Sequence, residues 1–449
     1  MVLANVQRYD PDGLSDLGAH AVVVGGSITG LLTARVLADG FDEVTILERD
    51  SLPADPTPRR EVPQGRHTHV LETAGRETFE DLFPGYCEVL ISEGGLIIDL
   101  MSDLIHYDRG DYLANGPRRM PLYCASRPLF EHVLRQRVTA NESITLRSET
   151  QFIDYILDGT DSRVEGVTIR EHGSEESELN ADLVVDTSGR TSKTRSWLDD
   201  QGFPVPNIDE VHIDVAYSTA LVERPQTDRR GLFVPPEPGR TRGGLMFPIE
   251  KNRWTLSLVG IHGDHPPTTK EGFIDYANSL PAPEFGEILE SQPLVTDDIT
   301  HYPFPSSRRV RYENLNQFPE DLVVLGDAVC SFNPLYGQGM STAALQALQL
   351  HHSLADHGRE RIGMRFFEAI EEVIDAPWTV AVGGDFEFQE TTGPKPRGTD
   401  FINSYLDRMI RSAHTDGELR EALVRPFMQV EPPSSVMRPR YIWRTFKPT

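Results

Sequence analysis

Residues 19–50, AHAVVVGGSITGLLTARVLADGFDEVTILERD, constrain the fold of this chain more than any other stretch. Val22, Val23 and Val24 form the short β-branched run that a strand buried on both faces requires. The turn Gly25-Gly26-Ser27-Ile28-Thr29-Gly30 follows, and Leu31, Leu32, Val36 and Leu37 then recur at helical spacing. A second apolar run at 44–47 ends in Glu48, ahead of Arg49. Strand, glycine turn, helix, strand and acid in this register predict a βαβ unit that can hold an adenine dinucleotide.

Each position has a separate physical reason. Gly25 permits the tight turn out of the strand, and Gly30 lets helix and strand close on each other. Residue 27 has to be small so that backbone can approach a pyrophosphate, which the free N–H groups and positive dipole end of the helix then receive. Ser27 stands where the pattern G-x-G-x-x-G has its middle glycine; it is small, and its hydroxyl can face a phosphate. Glu48 lies eighteen residues beyond Gly30, where an acid reaches a ribose 2′-OH and repels a 2′-phosphate. That suits FAD or NAD.

Two later stretches again end a buried strand in a glycine turn. Residues 181–186, ADLVVD, lead into Thr187-Ser188-Gly189-Arg190 and on to Ser192, Thr194 and Arg195, a basic, hydroxyl-rich loop suited to phosphate or cofactor contact. Residues 322–325 make a strand closed by Gly326-Asp327, and Asp327 is placed to accept from a sugar hydroxyl. The stiff loop Asn333-Pro334-Leu335-Tyr336-Gly337-Gln338-Gly339 then exposes backbone N–H groups at the start of a helix that begins near Met340. Arg127 heads another predicted helix, with Pro128 just inside it, and can swing toward a cofactor.

Between these stretches the alternation at 94–109, 120–126 and 144–170 predicts short strands. Residues 211–222 and 244–259 read as strands of a separate sheet-based region, with Met246, Phe247, Trp254 and Leu256 as core. From 358 to 449 the pattern is helical, at 364–374, 401–413 and 417–430, punctuated by Pro377-Trp378 and Pro432-Pro433. His67 and His69 read as exposed loop histidines and His262-Gly-Asp-His265 as a turn. None has the further ligands of a metal site.

Composition narrows the function. No run of eighteen apolar residues exists, so a spanning helix is not expected, and the first eighteen residues lack the basic start and apolar core of a signal peptide. Cys87, Cys124 and Cys330 are scattered and odd in number, as in a reducing cytoplasm without a disulfide frame. The net charge of −26 argues against nucleic acid as partner. Only five lysines occur, and acid excess with lysine scarcity matches adaptation to high salt or an arginine-rich coding bias.

Taken together, the three cofactor-like stretches resemble the class A flavoprotein monooxygenases, the p-hydroxybenzoate hydroxylase-like FAD enzymes. The segment PQGRHTHVLETAG and the loop GDAVCSFNPLYGQGMS are most similar to bacterial epoxidases of the squalene-epoxidase-like and polyether type. The resemblance implies an α/β fold: a Rossmann-like, three-layer ββα FAD-binding domain at 19–60, 120–200 and 301–357. It is interleaved with a sheet-based substrate domain at 61–119 and 201–300 and followed by a C-terminal helical region at 358–449. It implies FAD contacts at Gly25, Ser27, Ile28, Thr29, Gly30, Glu48, Arg49, Arg127, Ser188, Gly326, Asp327, Pro334, Gly337, Gln338, Gly339 and Met340. Ser188-Gly189 replaces the family's Asp-Gly, which leaves the mode of pyridine-nucleotide use open.

The activity so implied uses NAD(P)H and O₂ to place one oxygen atom on a small terpenoid, polyketide or aromatic molecule, by hydroxylation or epoxidation through a flavin C4a-hydroperoxide. No triad motif is present and no catalytic base is identified. A flavin halogenase would carry a lysine soon after the first motif and a WxWxIP stretch; no lysine precedes Lys193 and the tryptophans are isolated. An FAD-dependent reductase of prenyl or geranylgeranyl double bonds stays open as the alternative.

Overall fold

The computed structural model describes residues 2–60, 62–160 and 162–447; Glu61 and the last two residues, which fall within the expected substrate and C-terminal regions, lie outside the described residues. A five-stranded parallel sheet underlies the glycine turns read from the sequence. Its order is β18 (Leu322–Val324), β12 (Leu183–Asp186), β1 (Gly18–Val24), β2 (Phe41–Leu47), β8 (Ile144–Arg147). Val22 and Val23 at its centre have no exposed surface, the environment that their β-branched shape and lack of polar atoms favour. The chain leaves β1 for β2 on one side, while β12 pairs with β1 on the other. The carboxyl end of β1 is therefore a topological switch point, where open α/β sheets form their ligand crevice.

Helix α1 (Ile28–Leu37) packs on this sheet together with α4 (Arg127–Thr139) and α8 (Gly339–His357), and α2 (Thr73–Leu82) and α3 (Tyr86–Ser92) lie against that layer. A three-stranded antiparallel unit, β9 (Thr150–Leu157), β10 (Val164–Glu171) and β11 (Glu176–Asn180), leads into β12, and α5 (Thr194–Asp200) follows it.

The second sheet has eight strands in the order β19 (Cys330–Ser331), β17 (Thr300–Val310), β13 (Ile208–Glu223), β16 (Arg253–Ile261), β15 (Arg242–Ile249), β14 (Gly231–Val234), β5 (Leu104–Asp108), β6 (Asp111–Tyr112). Residues 301–310 thus lie in this sheet, on the other side of the boundary expected from sequence. Pro303 and Pro305 fall where β17 is an edge strand, because β19 reaches only Arg308 and Arg309. Side chains alternate between its faces. Met246, Trp254 and Leu256 pack under α6 (Lys270–Asn278) and α7 (Glu284–Ser291) as core, whereas Leu245, Phe247 and Ile261 face the other way. A small sheet, β3 (Val70–Leu71), β7 (Pro121–Cys124), β4 (Leu96–Asp99), lies beside them.

The C-terminal region is helical: α9 (Ile362–Asp385), α10 (Thr399–Ala413), α11 (Gly417–Phe427) and α12 (Pro439–Phe446). Pro377-Trp378 does not end a helix as its sequence suggests; α9 runs through it. Ile370, Ile374, Trp378, Ala381 and Val382 on both sides of the proline are buried in the main core, and that packing outweighs the backbone bond a proline forfeits. Among the described residues, no helix is long and apolar enough to cross a membrane.

Candidate active site

The turn after β1 is built as its glycines require. Gly25 adopts φ +108° and donates to the Leu47 carbonyl at 2.8 Å. A Cβ on Gly30 would overlap the Gly25 carbonyl oxygen and come within 2.9 Å of Thr187 Oγ1. Ser27 is the N-cap of α1 but its hydroxyl does not cap the helix; it accepts from Arg127 Nη2 at 2.9 Å. The first amides of α1 are left for another acceptor. Behind the turn the Glu48 carboxylate accepts from Gly26 N (3.1 Å) and Asp50 N (2.9 Å).

A buried cluster of charge surrounds this turn. Arg59, 6 % exposed, places its guanidinium 2.9 Å from Glu48 Oε2 and 2.8 Å from Glu131 Oε1, ion pairs that lack hydrogen-bond alignment. Glu131 also receives Arg127 at 2.9 Å and Arg135 at 3.4 Å. One carboxylate thus holds three arginines, two of which, Arg59 and Arg127, also touch Glu48 and Ser27.

Across the crevice, Gly326 takes φ +75° against Thr29 and donates to Gln346 Oε1 at 2.8 Å. Asp327 is accessible within the crevice yet enclosed by protein, and burial raises its carboxyl pKa against the pull of Arg190 and Arg127. Asn333 Oδ1 accepts from Leu335 N (3.1 Å) and Tyr217 Oη (3.0 Å), which fixes the loop to β13. Gly337 turns with φ +71°, and Gly339, with nothing within 4 Å of where a Cβ would lie, opens α8 with no side-chain cap.

Ser27, Ile28, Thr29, Arg127, Gly326, Asp327, Pro334, Gly337, Gln338, Gly339 and Met340 all line one cavity. Gly25, Gly30 and Glu48 form the wall behind it, and Arg49 is exposed beyond Glu48. Gln338 turns its amide to the Phe427 carbonyl at 3.1 Å. Ser188, expected to contact the cofactor, is outside this lining: its N–H and hydroxyl donate to Asp186 Oδ1 at 2.8 and 2.6 Å. Ser192 and Thr194 donate to Asp186 Oδ2, each at 2.6 Å, so the hydroxyls of this loop serve the strand-end acid.

The cavity, about 490 Å³, continues past the cofactor loop into an apolar chamber. Its floor is the free face of the eight-stranded sheet; its roof is the end of α9 with α10 and α11. His67 and His69 line it instead of lying exposed. His67 Nδ1 is 2.7 Å from Thr219 Oγ1, and its Nε2 has no partner among the described residues. Burial lowers His67 to about 3 and His69 to about 4, so both are neutral at pH 7. Asp385, at the end of α9, is 1 % exposed; burial lifts it to about 7 although Asn333 Nδ2 donates to its Oδ1 at 2.8 Å. Sequence reasoning passed over Asp385, which carries no motif.

The donor set fits a flavin dinucleotide. Two helix N-termini without side-chain caps, arginines and an acid at a strand end converge on one cavity, with the acid Glu48 behind its glycine turn. Among the described residues no group of His, Cys, Asp and Glu is arranged to hold a metal.

Comparison with known proteins agrees. The sequence pattern of the family described as FAD binding domain matches residues 19–371. Protein Rv3254 of Mycobacterium tuberculosis is 33 % identical over 428 residues, covering 91 % of this chain and 89 % of that protein. A kynurenine 3-monooxygenase of Salinispora arenicola is 25 % identical, over 78 % of this chain and 75 % of its own length. Among solved structures, the flavin-dependent brominase Bmp2 superposes with a TM-score of 0.62 at 16 % identity, covering 92 % of this chain and 94 % of that one, a likeness of fold. By sequence pattern and by a cavity whose donors suit the cofactor, the chain belongs to the FAD-binding-domain family and is an FAD-dependent oxidoreductase.

Proposed function

We propose that the protein is a monooxygenase that uses NAD(P)H and O₂ to oxygenate a small, largely apolar molecule. The observation that carries this reading is the single cavity joining the glycine-turn crevice to an apolar chamber, so that cofactor and substrate would share one space. The turn at Gly25–Gly30 with the α1 N-terminus would receive the diphosphate, Glu48 the ribose, Asp327 the ribityl hydroxyls, and the amides of Leu335–Met340 the flavin ring. FAD, when bound, supplies the redox chemistry and the activation of oxygen. The chain's own part is to bind, orient and exclude water.

Asp385 supports hydroxylation over epoxidation. Removing a proton from a phenolic hydroxyl needs a base near the working pH, whereas oxygen transfer to an alkene does not. The Asp385 carboxylate lines the cavity, sits near 7, and leaves Oδ2 without a hydrogen-bond partner among the described residues. Tyr217 and Tyr336 border it through Asn333 Oδ1 and its own Oδ1.

The test is turnover of the purified, flavin-loaded protein on phenolic and terpenoid panels under ¹⁸O₂. The expected product carries one ¹⁸O atom per NAD(P)H consumed. Turnover that persists without O₂ and saturates a double bond would replace this reading by the prenyl-type reductase. Equal pH profiles for wild type and Asp385→Asn would remove the ground for placing hydroxylation above epoxidation.

A further inference from the structure

The chamber floor has a direction. Its side chains come in turn from Tyr217 on β13, Ile261 on β16, Phe247 on β15, Phe233 on β14 and finally His106 and Asp108 on β5. Residues 104, 106 and 108 share one face of β5, since side chains alternate along a strand, and all three line the cavity. Tyr217 is fixed to the cofactor loop through Asn333. From β13 to β5 is four strand steps, about 19 Å at a spacing of ~4.8 Å. The cavity therefore has a cofactor end and a far end, with apolar side chains between them.

The far end is polar and unsatisfied. Asp108 is 8 % exposed, and no described residue donates a hydrogen bond to its carboxylate; Arg109 Nε and His106 Nε2 are each 3.9 Å away. His106 Nε2 is buried and has no hydrogen-bond partner among the described residues. Burial holds His106 down to about 3, so the 3.9 Å approach to Asp108 joins no pair of opposite charges. Burial also lifts Asp108 to about 7, which lets its carboxyl donate as well as accept near neutrality. Arg109 is already committed: it ion-pairs with Glu387 and Asp407, and its N–H donates to Glu237 at 2.9 Å. His106 Nε2 and the Asp108 carboxylate, neither with a hydrogen bond among the described residues, are groups at this end for a ligand to satisfy.

We propose that the substrate is an elongated apolar molecule whose far terminus carries an uncharged hydroxyl, held by His106 and Asp108 while the opposite end lies at the cofactor. This deepens, and rests on, the monooxygenase reading given above. A carboxylate terminus is disfavoured, because it would meet the Asp108 carboxylate while the nearby guanidinium groups are already paired, Arg109 with Glu387 and Asp407 and Arg240 with Glu237. Leu104, Phe233, Phe247 and Phe388 along the walls offer an apolar body no hydrogen bonds and a large contact area.

The test is calorimetric titration of the flavin-loaded protein with four probes of one length: 1-dodecanol, dodecane, dodecylamine and dodecanoate. The expected order places dodecanol about tenfold or more tighter than dodecane, with dodecanoate no tighter than dodecane. Asp108→Leu and His106→Phe, which remove the hydrogen-bonding groups, should erase the advantage of the alcohol and leave dodecane binding in place, whereas Asp385→Asn should keep that advantage. Preference for dodecanoate or dodecylamine, loss of the alcohol's advantage in Asp385→Asn alone, equal loss for all four probes in the β5 variants, or no binding of any probe would each overturn the assignment. The titration needs neither NAD(P)H nor turnover, so a protein that shows this pattern but fixes no ¹⁸O refutes the monooxygenase reading separately.

Discussion

Replacing Ser188 separates two accounts of the middle glycine turn. If its hydroxyl touched the cofactor, Ser188→Ala would weaken FAD binding and leave the folded chain untouched. The geometry gives the reverse. Ser188 Oγ donates to Asp186 Oδ1 at 2.6 Å, a hydrogen bond to a charged acceptor worth about 1.5–3 kcal/mol when fully buried. Ser188 itself is only half-buried, and the same oxygen keeps the Ser188 N–H at 2.8 Å, so the net loss shrinks to about 1 kcal/mol. Asp186→Ala removes the acceptor of four hydrogen bonds at once and strands three hydroxyls and an amide, an expected loss of about 3–5 kcal/mol. Urea unfolding of the apo-protein measures both, and titration with FAD supplies the second axis. Ser188→Ala should bind FAD within twofold of wild type, about 0.4 kcal/mol. An FAD affinity down tenfold at unchanged urea midpoint would refute the reasoning.

Three further outcomes follow from the same structure. Gly30→Ala should lower both apo-stability and FAD affinity, since its Cβ overlaps backbone, while Gly339→Ala should leave the apo-protein as stable as wild type and weaken FAD alone; paired urea and FAD titrations decide. Asp385 has a folded-state pKa near 7 against about 3.9 unfolded, so the native state holds its proton through that window and stability falls as pH rises from about 4 to 7. Asp385→Asn should therefore gain on wild type over this range, by a few kcal/mol (on the order of 1.36 per pKa unit) above pH 7, in urea midpoints taken at pH 5 and 8. Burial pushes all three thiols up, Cys87 to about 12, so none should react with a disulfide reagent at pH 8 until the chain unfolds; fast labelling of the native protein would contradict this.

What the sequence displayed and what it hid divide along the two ends of the cavity. The cofactor end was legible because backbone does the work there. Gly25, Gly30 and Gly337 occupy positions where a turn or a close approach admits no side chain, and such needs leave a local signature. Ser188 misled because a hydroxyl beside a glycine turn looks the same whether it faces a ligand or the acid two residues back. The chamber was illegible for a different reason. His106, Asp108, His67 and Asp385 come from β5, a loop and α9, and only the tertiary arrangement brings them onto one cavity. His67 even read as an exposed loop residue, since nothing local reveals that Thr219, 152 positions away, will hold it. Pro377 shows the same limit within a helix, where long-range packing overrides a breaker.

The carboxylate of Glu131, encircled by Arg59, Arg127 and Arg135, has a consequence for how the chain is loaded. A polyanion arriving at the mouth of α1 meets three guanidinium groups already offset in part by the carboxylates of Glu131 and Glu48, so it meets a small net charge instead of three bare cations. Added salt screens the buried resident pairs little and acts chiefly on the small net charge that the cluster presents to the incoming ligand. Flavin uptake should accordingly depend on ionic strength far less than the number of arginines around the crevice would suggest.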